Sequence, residues 1–268
     1  MAAKEVTGPE PTLETRKPGA RESMSPATPN APLDQAAVLA ALQARVARLE
    51  GAGRAQPDSA AIPVCDGLPL PSGGLARAAV HEVLAGSPGC AAAFCAVLLA
   101  RTGGAVLWII SEWDGLLAWP PGLARCGLDP ASLIIVRADR WTDGLWAMEE
   151  ALRCPAVTGA ILAGDGRLDL TTTRRLQLAA EAGGALGLLL RPDTAPVGHT
   201  AAATRWQVGS LGAGHDLGDP RWELELLRAR GGRPGGPWAV TWRAATGSLD
   251  LEGGTTAPGA RPARKAVR

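Results

Sequence analysis

Three features of this 268-residue chain predict an α/β fold built on a mostly parallel β-sheet flanked by helices. Short apolar runs recur at Ala79–Ala85, Ala105–Ile110, Ile134–Val136, Gly159–Ala163 and Ala185–Leu190. These runs are apolar throughout rather than alternating, the pattern of strands covered on both faces. Segments with helical spacing stand between them, which makes crossover connections and a parallel sheet the economical reading.

Composition agrees with one substantial domain carrying extensions. Apolar residues make up 46% of the chain, enough for a core, while 34 glycines and 22 prolines place much of the remainder in loops and tails. The formal charge of +1 supplies no bulk field for nucleic acid. Arginines number 24 against 3 lysines, a balance that fits planar, paired contacts or a biased codon usage. Cys65, Cys90, Cys95, Cys126 and Cys154 are odd in number and contain no C-x-x-C pair, so they are read as reduced, packing residues. With no signal peptide and no apolar run of membrane-spanning length, a cytoplasmic protein without membrane contact is expected.

Along the chain, residues 1–32 mix small residues with balanced charges and are expected to be a disordered tail. Residues 33–52 hold an amphipathic helix, capped by Asp34, with Val38, Leu39, Leu42, Val46 and Leu49 on one stripe, and Gly51 and Gly53 stop it. The core is expected over residues 53–245. Within it the strand Ala79–Ala85 leads into a helix at Ala91–Leu99, and further helices are expected at Gly144–Leu152 and Thr173–Ala182, the last capped by Thr171 or Thr172. In that last helix Leu176, Ala179 and Ala180 turn inward, and Arg174, Arg175, Gln177 and Glu181 stay outside or at an edge. Ala203–Val208 and Trp238–Ala244 suit strands, and Trp222–Arg230 a helix. Residues 246–268 form a flexible tail carrying Arg261, Arg264, Lys265 and Arg268, capable of weak, salt-sensitive DNA contact.

The window Gly86-Ser87-Pro88-Gly89-Cys90-Ala91-Ala92-Ala93 has the frame of a phosphate-binding loop without its chemistry. Such a loop reads G-x-x-x-x-G-K-[ST]; its amides wrap the phosphates, its lysine reaches the β/γ-phosphates and its hydroxyl holds magnesium. Here the second glycine, the lysine and the hydroxyl fall on Ala91, Ala92 and Ala93, and Pro88 lacks an N–H. A degenerate loop and no ordinary ATP hydrolysis are therefore expected. Two carboxylates stand where catalytic or metal-holding acids would be sought: Glu112, after the strand Ala105–Ile110, and Asp165, one residue past the place next to the apolar run Gly159–Ala163. A one-residue shift on an extended strand reverses the face of a side chain, which weakens Asp165 as a metal holder. His81, His199 and His215 show no metal-ligand spacing. No catalytic, cofactor-binding or metal-binding residue is assigned.

Among nine tryptophans, Trp108 falls in a core strand, whereas Trp113, Trp119, Trp141 and Trp146 lie in or near segments that follow strands and suit fold packing, including lids, first, protein-recognition anchors next and base stacking last. Arg174, Arg175, Arg191, Arg205 and Trp206 are candidate contacts, the arginines for phosphate, for a carboxylate-bearing partner or for local acidic residues, without a base-specific code.

The segment order resembles a RecA-type core: Ala79–Ala93 as first strand and phosphate loop, Ala105–Glu112 as the next strand and acidic turn, then Gly127–Val136. More closely, the chain resembles the ImuA family of RecA-like mutagenesis proteins. The shared features are His81-Glu-Val, Val106-Leu-Trp-Ile109, Gly122-Leu, Gly127-Leu-Asp-Pro130, Leu145–Arg153, Arg174–Glu181 and Ala203-Thr-Arg-Trp206, spread over about residues 35–245. The resemblance implies a RecA-like fold and an accessory role in SOS-induced translesion synthesis. It implies an ImuB-like pseudo-polymerase as partner, with a C-family error-prone polymerase or RecA as further candidates. It would put Glu112 near a water-orienting position and Arg191 near the end of a nucleotide-sensing strand. The reading that follows is a scaffold rather than an enzyme, using the face near Leu39, Leu42 and Val46 or an arginine-bearing edge, with no cofactor and with self-association left open. The alternative is an ATP-dependent RecA-like DNA-repair motor or recombinase regulator.

Overall fold

The computed structural model describes residues 61–70, 73–111, 118–195, 198–212 and 219–252. The expected N-terminal tail, the 33–52 helix with Leu39, Leu42 and Val46, the residue Glu112 and the basic residues beyond 252 lie outside them. A two-stranded antiparallel ribbon, β1 (Ala61–Pro63) with β2 (Gly74–Ala76), precedes the main sheet. There follow β3 (Ala79–Ala85), α1 (Pro88–Ala100), β4 (Ala105–Ser111), α2 (Pro120–Arg125), a 3-10 turn at Pro130–Ser132 and β5 (Leu133–Ala138). The chain continues through α3 (Trp141–Arg153), β6 (Val157–Ala163), α4 (Leu170–Gly183), β7 (Leu186–Pro192) and β8 (Thr204–Ser210). It ends with β9 (Arg221–Ala229), β10 (Gly235–Arg243) and β11 (Ser248–Leu251).

Nine strands form one sheet in the order β5-β4-β6-β7-β3-β8-β9-β10-β11. The six from β5 to β8 are parallel, and the last three run antiparallel to their neighbours. This is the predicted RecA-like α/β class. β3 lies between β7 and β8, so the turn that leaves it opens at the centre of the sheet's C-terminal rim.

Each face of the sheet has its own core. On one, α1, buried from Phe94 to Leu99, packs Phe94 against Trp206 and Trp222, with ring centroids 6.1 and 6.4 Å apart, and Trp206 in turn meets Trp238. On the other, Met148 and Leu152 of α3 and Leu176 and Ala180 of α4 cover Val80 and Leu162. Gly183 permits the helices to close together, since a Cβ there would lie 2.0 Å from the Leu152 carbonyl oxygen.

Several expectations are corrected. Where a helix was expected over 222–230 the chain forms the strand Arg221–Ala229: Trp222, Leu224 and Leu226 alternate inward with Glu223 and Glu225, so period-two burial overrides the helix-forming composition. The ordered sheet continues past residue 245 through β11, whose Leu249 is buried in the core. The cap of α4 is Asp169, whose carboxylate accepts the Thr172 N–H at 2.7 Å, rather than either threonine. Gln177 is buried rather than outward; its Oε1 accepts the Val80 N–H at 3.0 Å. Ile134 and Ile135 belong to an edge strand and are exposed, not covered.

Candidate functional site

The C-terminal rim of the parallel strands is where a ligand of an open α/β sheet is expected. Only Gly86 and Ser87 separate β3 from α1. The N–H groups of both donate to the Val208 carbonyl of β8, at 2.9 and 3.3 Å. Ser87 Oγ accepts the Ser210 N–H at 3.3 Å, and its carbonyl accepts the Ala91 N–H at 3.1 Å. Pro88 starts the helix without an N–H, a position that suits its fixed φ. A Cβ on Gly86 would stand 3.2 Å from Val208 O, so the close approach of turn to strand favours glycine there. Gly89, Cys90, Ala91, Ala92 and Ala93 already lie within α1, with Ala91 buried and Gly89 facing open space. The amides that could wrap a phosphate are thus reduced to those of the first helical turn.

Beside this turn, the end of β6 is filled. Gly164 follows Ala163, and a Cβ on it would meet the Trp141 ring at 2.5 Å and Ser111 O at 2.8 Å. The same indole lies against Gly166 and donates its Nε1–H to the Arg167 carbonyl at 3.1 Å. The space next to the apolar strand, where a metal-holding carboxylate would be sought, is occupied by tryptophan. Asp165 sits one residue on, exposed, at a cavity of about 710 Å³ that it shares with Arg167, Asp169 and His199. No group of three His, Cys, Asp or Glu side chains among the described residues could hold a metal ion.

Beneath the rim, polar side chains of β3, β7 and β8 are spent on one another. Glu82 of β3 accepts from Arg205 Nε of β8 at 2.6 Å with both side chains buried, and Arg205 also donates to the Gly198 carbonyl at 2.9 Å. Arg191 of β7 donates to Gly166 O at 3.1 Å; burial lowers its pKa, against the opposing influence of the Glu82 charge. His81 is fully buried. Its Nε2 faces the Ala76 carbonyl at 2.9 Å, which requires the proton there, and Nδ1 then accepts from Thr204 Oγ at 2.8 Å. Thr204 Oγ in turn accepts the Trp206 Nε1–H at 2.8 Å. Desolvation holds this imidazole neutral, with its pKa lowered to about 4.

These contacts move Arg191, Arg205 and Trp206 from candidate surface to interior. Arg205 closes an ion pair, and Trp206 is a core aromatic. Arg174 and Arg175 do lie on the exposed side of α4. Arg175 and Arg153 both grip the nearly buried Glu149, tying α4 to α3, whereas Arg174 makes no ion pair among the described residues. Trp119 and Trp146 are each 66% exposed, while Trp108 is core and Trp141 is the plug of the β6 end.

Two features were not anticipated from sequence. A cavity of about 500 Å³ lies between α1, α2 and the antiparallel strands, lined by Cys90, Arg125, Asp219, Trp222 and Trp242 among others. Its walls come from segments more than a hundred residues apart, and no local pattern announces it. The other is the exposed pair Ile134 and Ile135, for which the apolar run beside a chain reversal was the available signal.

Comparison with known proteins bears on all of this. No family model matches the chain. Protein ImuA of Caulobacter vibrioides, in the strains NA1000 / CB15N and ATCC 19089 / CB 15, is 38% identical over 197 residues, covering 65% of this chain and 79% of the relative. The aligned region takes in most of the relative. With that extent and identity, the chain belongs to the ImuA family.

Proposed function

We propose that the protein is a non-catalytic accessory or scaffold of SOS-induced translesion DNA synthesis, which recruits or bridges an ImuB-like pseudo-polymerase and a C-family error-prone polymerase in the cytoplasm. Family membership supports the pathway. The single observation that carries the scaffold reading is the β3–α1 turn: two amides are committed to Val208 O, the next residue is proline, and methyl groups stand at the lysine and hydroxyl positions. Neutralising a triphosphate and placing its magnesium need a cation and a hydroxyl that this turn lacks. The Trp141 plug at the end of β6 supports the same reading. Binding energy would then come from exposed anchors such as Trp119 and Trp146 and from the free face of α4 at Arg174.

One observation favours a second reading, a RecA-like motor or recombinase regulator: the Gly89 and Cys90 amides in the first turn of α1 have no intrahelical acceptor and face an open approach. The two readings separate in one experiment. The purified chain is titrated with the pseudo-polymerase, with and without DNA and with and without ATP·Mg²⁺. A scaffold associates equally well in the absence of triphosphate. Association that requires triphosphate, or DNA-stimulated hydrolysis, supports the motor instead.

A further inference from the structure

From the geometry of the sheet's outer margin, we propose that β5 is a docking edge for an extended segment of another protein, one carrying apolar residues opposite Ile134, Ile135 and Val136 and a carboxylate opposite Arg137. This deepens the adhesion reading above and rests on it for its biological setting. β5 ends the sheet, paired with β4 alone through a six-residue register from Val106–Leu133 to Ser111–Ala138 without a bulge. Its outward N–H and C=O groups meet no strand among the described residues. Natural edge strands are protected by shortness, by proline, by bulges or by charge. At the opposite margin β11 has four residues, one of them the exposed Asp250, whereas β5 has six, with Ile134 52% and Ile135 41% exposed and Arg137 its one charge.

The occupant follows from face and charge. Ile135 and Arg137 project on one face of the sheet, Ile134 and Val136 on the other, so a single added strand covers both isoleucines while its backbone completes the ladder. Arg137 is exposed and has no ion pair among the described residues. A second copy fits poorly. In a two-fold antiparallel pair, facing residues share a face, so the axis must pass through one residue. Centred on Ile135 it sets Arg137 against Leu133, centred on Val136 against Ile135, and centred on Arg137 against itself. Reaching Asp139 requires centring on Ala138, which leaves both isoleucines outside the paired stretch, and reaching Asp129 requires pairing across the 3-10 turn at Pro130–Ser132. A second copy therefore does not supply apolar cover together with a carboxylate, and the proposal assigns both to a segment of a different protein.

The test uses the full chain and a fluorescently labelled synthetic peptide that carries one glutamate next to three consecutive valines, flanked by threonines, with a lysine counterpart. Anisotropy titration is expected to show the glutamate peptide binding roughly fivefold tighter than the lysine peptide or better. Arg137→Glu should reverse that preference, and Ile135→Lys should abolish binding of both. Slowed amide exchange in residues 133–138 on binding should locate the peptide. Equal affinity for the two peptides, an unchanged preference in Arg137→Glu, or no binding at all overturns the proposal. So does a concentration-dependent dimer in sedimentation that Ile135→Lys abolishes, which makes a second copy the occupant. The pseudo-polymerase is titrated in parallel. If it binds wild type and Ile135→Lys alike, the edge proposal fails and the scaffold reading stands; if it binds neither, the scaffold reading fails while the peptide titration still decides the edge.

Discussion

The rim above β3 and the margin at β5 treat their polar groups in opposite ways. At the rim, turn amides go to a neighbouring strand, an indole occupies the end of β6, and the charges below are paired with one another. At the margin a whole strand edge meets no further strand among the described residues, with two isoleucines and an arginine beside it. The difference teaches that a RecA-like sheet can keep its architecture while its centre becomes self-contained. Under the scaffold proposal, what such a body binds is sought at its outer surfaces rather than in its cleft.

The sharpest way to break the self-contained centre is to remove one member of its buried ion pair. Arg205→Met leaves Glu82 charged and without its principal partner, and is expected to cost about 3–5 kcal/mol in urea denaturation. The double variant Glu82→Leu with Arg205→Met should recover much of that loss, because an apolar pair incurs no charge desolvation. Equal losses in both variants would show that the site matters for packing and not for charge.

Next in size is a pH effect. His81 has a folded pKa of about 4, against an ordinary value near 6.5, so the unfolded chain binds more protons between those values. The stabilisation from keeping it neutral is complete above pH ~6.5 and falls away as pH drops towards ~4, by up to about 3 kcal/mol. Denaturation midpoints measured across that window should decline. His81→Asn, less stable at neutral pH, should show a flatter decline, and an unchanged slope would assign the titration elsewhere.

Smaller again is the plug of the β6 end. Gly164→Ala forces a methyl against both Trp141 and Ser111 O and should cost about 1–3 kcal/mol. In the background of Trp141→Ala the cost should shrink but not vanish, since the carbonyl contact remains. Smallest is the α4 cap: Asp169→Ala should lose about 1 kcal/mol by releasing the Thr172 N–H. That loss should be local, visible as faster exchange in the first turn of α4 with the rim unaffected.

The parallel strands were largely legible because each is a short apolar run bounded by turn residues; β3 is the strand Ala79–Ala85 that the run outlines. β9 was not, since its Glu, Leu, Arg and Ala are good helix formers, and only the alternation of Trp222, Leu224 and Leu226 carries the strand signal. The departure of Ala91, Ala92 and Ala93 from the residues of a phosphate-binding frame is read directly from the sequence. The closing of the turn onto Val208 was not, because that acceptor lies over a hundred residues away and becomes a neighbour only through the β3–β8 pairing. Arg205 shows the same limit: a local acidic partner is among its possible contacts from sequence, but only the β3–β8 pairing picks out Glu82 and takes both inside. Gln177 was misplaced for a related reason, as a polar residue on a helix is drawn inward when a strand amide needs its oxygen.

Calorimetric titration of the purified chain with ATP·Mg²⁺ tests the self-contained rim most directly. The account predicts no saturable heat into the millimolar range and no change when Gly89 at the start of α1 is replaced by tryptophan. Micromolar binding that Gly89→Trp removes would contradict it, by showing that the turn above β3 still receives a triphosphate.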